Sequence, residues 1–371
     1  MKSLLTLLAV AALAATASAQ PQFKIDAVAH DQPTAKPKHF DHEAPVPNTP
    51  FLPDLTPGYV VIEGDIQIRL DQYLAMMNGQ DSTFGGVNYW SNGIVPYDFV
   101  TSGGGAVSGP NQAAAISAMN AIGSRAGVTF RPATGSDVNR IRWQNSAFNN
   151  SPVGLQGGTQ IINIFNWNFE IIMCHELYHS LGFWHEQSRT DRASFVSINN
   201  SNICGTAGSG ACSPNVCQMC SDGTNFVSCA GNFNITATSL AYGFYDFDSF
   251  MHYGRTAFSC NGGDTITVAA PYNAAWQNVI GQRDHFSYYD RITCRGLYPF
   301  NTDRWVDRNY VGTQNATFLQ PTNSADIRTR AQTMPSGGTL FVKFGNTYSG
   351  VGLYTNPCTI EAPYGTVTIG N

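Results

Sequence analysis

Hydrophobic positions change their spacing several times along the 371-residue chain, and each change predicts a different element. Behind Lys2 an apolar run reaches from Leu4 to Ala15, with small residues at Ala17 and Ala19. That is the pattern of a signal peptide over residues 1–19, cut before Gln20, and the run is too short to cross a bilayer core of about 30 Å. Prolines at 21, 33, 37, 45, 47, 50, 53 and 57 then keep the chain extended or disordered. Leu70, Tyr73, Leu74 and Met77 return to helical spacing, ended by Asn78 and Gly79.

Strands are predicted at 94–99, 140–143 and 160–165, and Ala115, Met119 and Ile122 mark one face of a helix over 111–125. A second helix is predicted from an N-cap at Asn168 to Leu181, with Gly182 placed to end it. Irregular sequence follows. Beyond residue 300 the chain turns to short β runs, "GGTLFVKFGNTYSG", "CTIEAP" and "GTVTIG", like one rung of a β-helix that cannot bury its apolar face alone. The order predicts an α+β domain whose cleft lies between a sheet half and a loop-rich half, plus a small C-terminal β-rich extension.

Composition narrows the setting. Charged residues make up 12% of the chain, against about 25% in an average domain, which suits a secreted, extracellular protein. A net charge of −5 without a Lys/Arg cluster leaves no footprint for nucleic acid or an anionic membrane. Nine cysteines in an exported chain imply disulfides, and five of them (204, 212, 217, 220, 229) mark a stapled loop. Cys217 and Cys220 have the spacing of half a structural zinc site, but no partner pair matches it.

The chemistry concentrates in "HELYHSLGFWHEQSR", residues 175–189. On a helix His175 and His179 project from one face and can reach one ion. Gly182 allows a left-handed turn that returns His185 as third ligand, and zinc takes neutral imidazole nitrogens in such sets. Glu176, beside His175, points next to the ion and can act as general base toward a zinc-activated water. HExxH alone is a weak pattern; the added turn glycine and third histidine make it specific.

"HELYHSLGFWHEQSRTDR" resembles the signature of the astacin family of metzincin zinc endopeptidases, and "YDFDSFMHYG" at 245–254 is similar to the family's Met-turn. "WSNGIVPYDF" and "IGQRDHFSYYDRITCRGLYPF" extend the likeness over about residues 80–300. The resemblance implies a twisted mixed sheet with the active-site helix above a zinc cleft, one zinc ion, and peptide or protein substrates. It implies that Met251 lies under the metal, and that Tyr253 is a resting-state ligand that swings to the oxyanion. Substrate would lie along an exposed edge strand near "SPVGLQ", 151–156.

"IEGDI" at 62–66 looks like the family's propeptide motif, making Asp65 the zinc-blocking residue of a zymogen. Glu186 would pair with the amino terminus created near Asp81 on activation, a structural rather than catalytic part. The implied layout is signal peptide 1–19, propeptide 20–80, catalytic domain 81–300 and extension 301–371. Family cysteines are absent where Gly127, Asn149 and Trp167 stand, and Cys174 is extra, so the family's disulfide pattern is not carried over. A binding protein that keeps the fold without turnover is the alternative; intact Glu176 and Tyr253 argue against it.

Overall fold

The computed structural model describes residues 23–25 (as backbone), 59–70, 88–206, 228–235, 241, 243–343, 347–350 and 352–370. Expectations for the signal peptide, for the helix beyond Leu70, for Asp81 and for Cys212, Cys217 and Cys220 lie outside these residues. The chain divides into two units, Pro33–Asp290 and a smaller one that joins Met1–Gln32 to Arg291–Asn371.

Strand β1 (Phe23–Ile25) belongs to the smaller unit. The larger unit opens with a hairpin, β2 (Tyr59–Ile62) and β3 (Ile66–Arg69), paired antiparallel across Glu63, Gly64 and Asp65. Its sheet comprises β4 (Ile94–Phe99), β5 (Thr129–Pro132), β6 (Arg140–Asn145) and β8 (Thr159–Ile164). These run parallel in the order β5-β4-β6-β8. Alternation on β6 sends Ile141 and Trp143 into the core. The short β7 (Ser151–Pro152) follows an antiparallel bridge, Asn150 to Asn163, that ties it to β8.

Helix α1 (Gly109–Gly123) buries Ala115, Ala118, Met119 and Ile122. It starts two residues before the predicted 111, because Ser108 caps it and Pro110 occupies the first turn, where a missing N–H is no loss. Helix α2 (Glu170–Leu181) is buried from Ile171 to Leu181, so it is a core helix rather than an amphipathic one. Its N-cap is Phe169, not Asn168: a turn closed by Phe169 N donating to Asn166 O (3.1 Å) uses up the residues before the helix. Gly182 ends it with φ 109°, a left-handed conformation that favours glycine.

Past α2, β9 (Val196–Ile198) pairs with β10 (Ile266–Val268) around a cluster of Ile203, Phe233, Tyr245, Phe247 and Trp276. Trp276 ends the short α3 (Asn273–Trp276). Cys204 bonds Cys260, so at least this cysteine staples out of its own segment. At the start of α4 (Tyr288–Leu297), Ser287 and Asp290 exchange hydrogen bonds in the manner of a capping box. Asp290 also accepts from Ser249 Oγ (2.6 Å) and Phe250 N (3.2 Å), which fixes the 249–253 turn.

The smaller unit holds β11 (Arg304–Val306), α5 (Ile327–Gln332), β12 (Thr339–Val342), β13 (Thr347–Tyr348), β14 (Thr359–Glu361) and β15 (Val367–Ile369). β11, β12 and β14 stack in parallel, as do β13 and β15. The paired strands stand 36 residues apart from β11 to β12, 20 from β12 to β14 and 21 from β13 to β15, a solenoid-like stack of unequal coils around Val306, Leu340, Val342, Tyr348 and Val367. Trp305 stacks on Phe341 at 4.4 Å. Among the described residues no helix is long and apolar enough to cross a membrane.

Gly281 and Gly157 share φ +86°, but a Cβ on Gly281 would sit 2.3 Å from Gly254 N and Cα, whereas one on Gly157 would meet nothing. Gly157→Ala should therefore cost about 1 kcal/mol of backbone strain, and Gly281→Ala at least about 2 kcal/mol more through the backbone clash. Chemical denaturation of the two variants measures the difference.

Candidate metal centre

Helical spacing on α2 and the return of the chain at Gly182 bring three imidazoles to one point. His179 Nε2 lies 3.1 Å and His185 Nε2 3.3 Å from His175 Nε2. Asp65, from the β2–β3 turn, closes the set: its Oδ2 is 3.2 Å from His175 Nε2, and its Oδ1 is 3.2 Å from His185 Nε2 and 3.6 Å from His179 Nε2.

The ring tautomers follow from the opposite nitrogens. His175 Nδ1 donates to Phe250 O (2.9 Å), His179 Nδ1 to Phe183 O (2.8 Å) and His185 Nδ1 to the Glu63 carboxylate (2.8 Å). Those partners can only accept, so the Nε2 atoms of neutral rings carry lone pairs, all aimed at one another and at a carboxylate. With all three rings neutral that arrangement is repulsive, and a metal ion, or a proton on one ring, relieves it. Ligands about 2.0–2.1 Å from a tetrahedral zinc stand about 3.3 Å apart, close to the spacings observed, so the residues fit one zinc ion.

Burial shapes the charges here. It pushes His175 down to about 3, with help from the nearby Arg283 cation, and lowers His179 as well. Burial opposes charge on His185 too, but the carboxylates of Asp65 and Glu63 outweigh it and raise that ring to about 9 when no metal is present. Asp65 is held well below the usual carboxylate range: burial works against it, and His185 and the other two rings prevail. Glu176 is pushed well above the ordinary range by burial and then by Asp65, and its Oε2 has no hydrogen-bond partner.

The remaining residues flagged from sequence gather around this point. Met251 is buried, and its carbonyl accepts from Glu186 N (3.0 Å), joining the turn to the residue after the third histidine. Tyr253 lies with its ring 4.5 Å from that of His185, and its hydroxyl donates to Glu63 O. Glu186 Oε1 accepts from Arg189 Nη1 (3.0 Å) and Asp246 N (2.8 Å), so in this chain an arginine three residues on pairs with it.

One expectation changes. The edge at 151–156 is not exposed: Ser151 to Gly154 are buried because β3 lies on them in parallel, with Ser151 N donating to Asp65 O (2.9 Å) and Val153 N to Gln67 O (3.3 Å). Ile66 and Ile68 pack with Val153 and Trp184, and Gln67 donates to the buried Asn150. Burying each isoleucine is worth about 1.5–3 kcal/mol. The turn is shaped to fit, with Glu63 at φ 48° and Gly64 at φ 77°, where a Cβ would come within 2.6 Å of the Phe258 ring.

Two participants were missed from sequence. Glu63 holds the third histidine and the Tyr253 hydroxyl at once, yet beside Asp65 it reads as a second linker acid. Arg283 is buried and lowered to about 10 by desolvation, with Asp65 and Glu176 among the charges it feels. Its Nη1 donates to His252 O (3.0 Å). No signal in "IGQRDHF" separates it from a surface arginine.

Two histidines on a buried helix and a third returned by a glycine turn, with the Glu176 carboxyl beside them, are the donor set of a zinc metalloproteinase. The family model described as Astacin (Peptidase family M12A) matches residues 84–209 and 228–299, just over half of the chain, and the chain belongs to that family. High choriolytic enzyme 1 of Oryzias latipes is 33% identical over 211 residues, 56% of this chain and 67% of that protein. Zinc metalloproteinase nas-15 of Caenorhabditis elegans is 32% identical over 211 residues, 56% of this chain and 32% of its own length. Meprin A subunit beta of Mus musculus is 30% identical over 246 residues, 65% of this chain and 30% of its own. The chain thus spans about a third of the longer relatives. A solved structure of the Oryzias latipes hatching enzyme aligns with 59% of this chain and 97% of that one, at 32% identity and a TM-score of 0.46.

The fit of the three rings predicts one zinc per purified chain by elemental analysis. His179→Ala should lower the metal content to a small fraction of that after dialysis against a mild chelator, while Glu176→Gln should retain it.

Proposed function

We propose that the chain is the zymogen of a secreted zinc endopeptidase in which the β2–β3 hairpin both fills the metal centre and covers the substrate edge. The observation that carries this is the Asp65 carboxylate standing against three histidine Nε2 atoms while β3 occupies β7. Residues 1–19 serve as signal peptide and 20–80 as propeptide, ahead of a catalytic domain at 81–300 and the extension at 301–371.

His175, His179 and His185 would hold the ion, with Asp65 as fourth ligand in the uncut chain. Zinc, when bound, supplies Lewis acidity: it polarises a carbonyl and makes water acidic near neutral pH. Glu176 then takes the proton of the attacking water and returns it to the leaving nitrogen. Burial, which raises its proton affinity, suits both halves of that exchange. Tyr253, released from Glu63 O, donates its hydroxyl to the developing oxyanion. Met251 and Gly182 are structural, setting the turn and the return of the chain. Once the hairpin leaves, the N–H groups of Ser151 and Val153 are free to pair with an extended polypeptide substrate. Glu186 receives the amino terminus formed near Asp81, displacing Arg189.

Three measurements bear on this. Glu176→Gln should slow peptide hydrolysis by the activated enzyme about 10²–10⁴-fold; unchanged turnover at full zinc content would remove Glu176 as the base. Asp65→Ala should give the uncut chain peptidase activity that the uncut wild type lacks. Gly64→Ala should weaken the block in the same assay without touching a ligand, since its Cβ would meet Phe258.

A further inference from the structure

The propeptide is anchored twice. Its hairpin sits on β7 in the larger unit, while β1 pairs antiparallel with β15 in the smaller one: Phe23 with Ile369, Lys24 with Thr368, Ile25 with Val367. Among the described residues β15 is otherwise paired only with β13, so β1 covers what would be an open edge on a strand whose Val367 and Ile369 are buried. An uncovered edge of that kind is a ready pairing surface. β1 begins three residues past the proposed signal cleavage at Gln20, so export keeps it. Residues 26–58 connect the two anchors, a span that reaches at most about 110–120 Å when extended.

We propose that the β15 edge is a docking site for the chain's own propeptide, and that a cut near Asp81 therefore does not release it. This rests on the reading that the hairpin blocks the site. With both anchors intact, the severed propeptide remains bound through β1 whenever its hairpin lifts from β7. Rebinding is then intramolecular, and covalent linkage of this kind raises the effective concentration of the hairpin well above that of a free peptide. The extension acts as a retention module that delays activity after proteolysis, and full activation requires a second event, loss of β1 from β15 or destruction of residues 26–58.

The test uses the full chain with a site-specific protease sequence inserted between Gln80 and Asp81 and a tag at the carboxyl end. After cutting, the tagged protein is immobilised, and the released propeptide and peptidase activity are followed together. The intact chain should release propeptide, and gain activity, at least about tenfold more slowly than a chain lacking residues 20–25. An excess of synthetic peptide 20–32 should accelerate release from the same cut chain with residues 20–25 in place, a comparison that needs no deletion. Equal release rates with and without residues 20–25, or indifference to the peptide, would overturn the proposal. The Asp65→Ala chain separates the two readings: failure to gain activity before cutting sinks the hairpin block, whereas loss of its propeptide at once on cutting sinks the β1 tether.

Discussion

Three imidazoles and a carboxylate crowded on one point, where a positive charge must sit among them as a metal ion or as a proton on His185, are the constraint around which the larger unit is organised. The Nε2 lone pairs of His175, His179 and His185 face the Asp65 carboxylate, and every Nδ1 is committed to a carbonyl or to Glu63. Each of those acceptors belongs to a different element. Phe250 is in the turn fixed by Asp290, Phe183 follows the Gly182 return, and Glu63 is in the hairpin. The metal centre thus records whether the turn, the helix end and the β2–β3 hairpin are all in place.

The hairpin meets that constraint through conformations only its own sequence permits. Two consecutive left-handed residues, Glu63 and Gly64, aim one carboxylate at His185 Nδ1 and the next at the ligand cluster. Ile66 and Ile68 then bury the following strand on Val153 and Trp184. Apolar burial supplies the holding energy and the carboxylates supply the registry, since a slip by one residue along β7 would turn Ile66 and Ile68 outward.

How much of this was legible beforehand depended on the range of the interaction. The ligand set could be read because it is local: i,i+4 spacing and one glycine suffice. Strands at 94–99, 140–145 and 159–164 announced themselves by apolar alternation, and the structure starts or ends them within two residues of the expected bounds. Start points failed where a turn competed for the cap, as at Asn168. Glu63, Arg283 and the occupied edge at 151–154 were invisible, because each depends on partners about 30 or more residues away that no period reveals. The β1–β15 pairing is the extreme case, joining the two ends of the described chain.

X-ray absorption at the zinc edge of the uncut chain, and of the same chain after cutting and complete removal of the propeptide, tests the central claim most directly. The account predicts three imidazole nitrogens with a carboxylate oxygen before removal, and loss of the carboxylate signature afterwards. It predicts the same loss in uncut Asp65→Ala. A first shell that is identical in all three samples would contradict it.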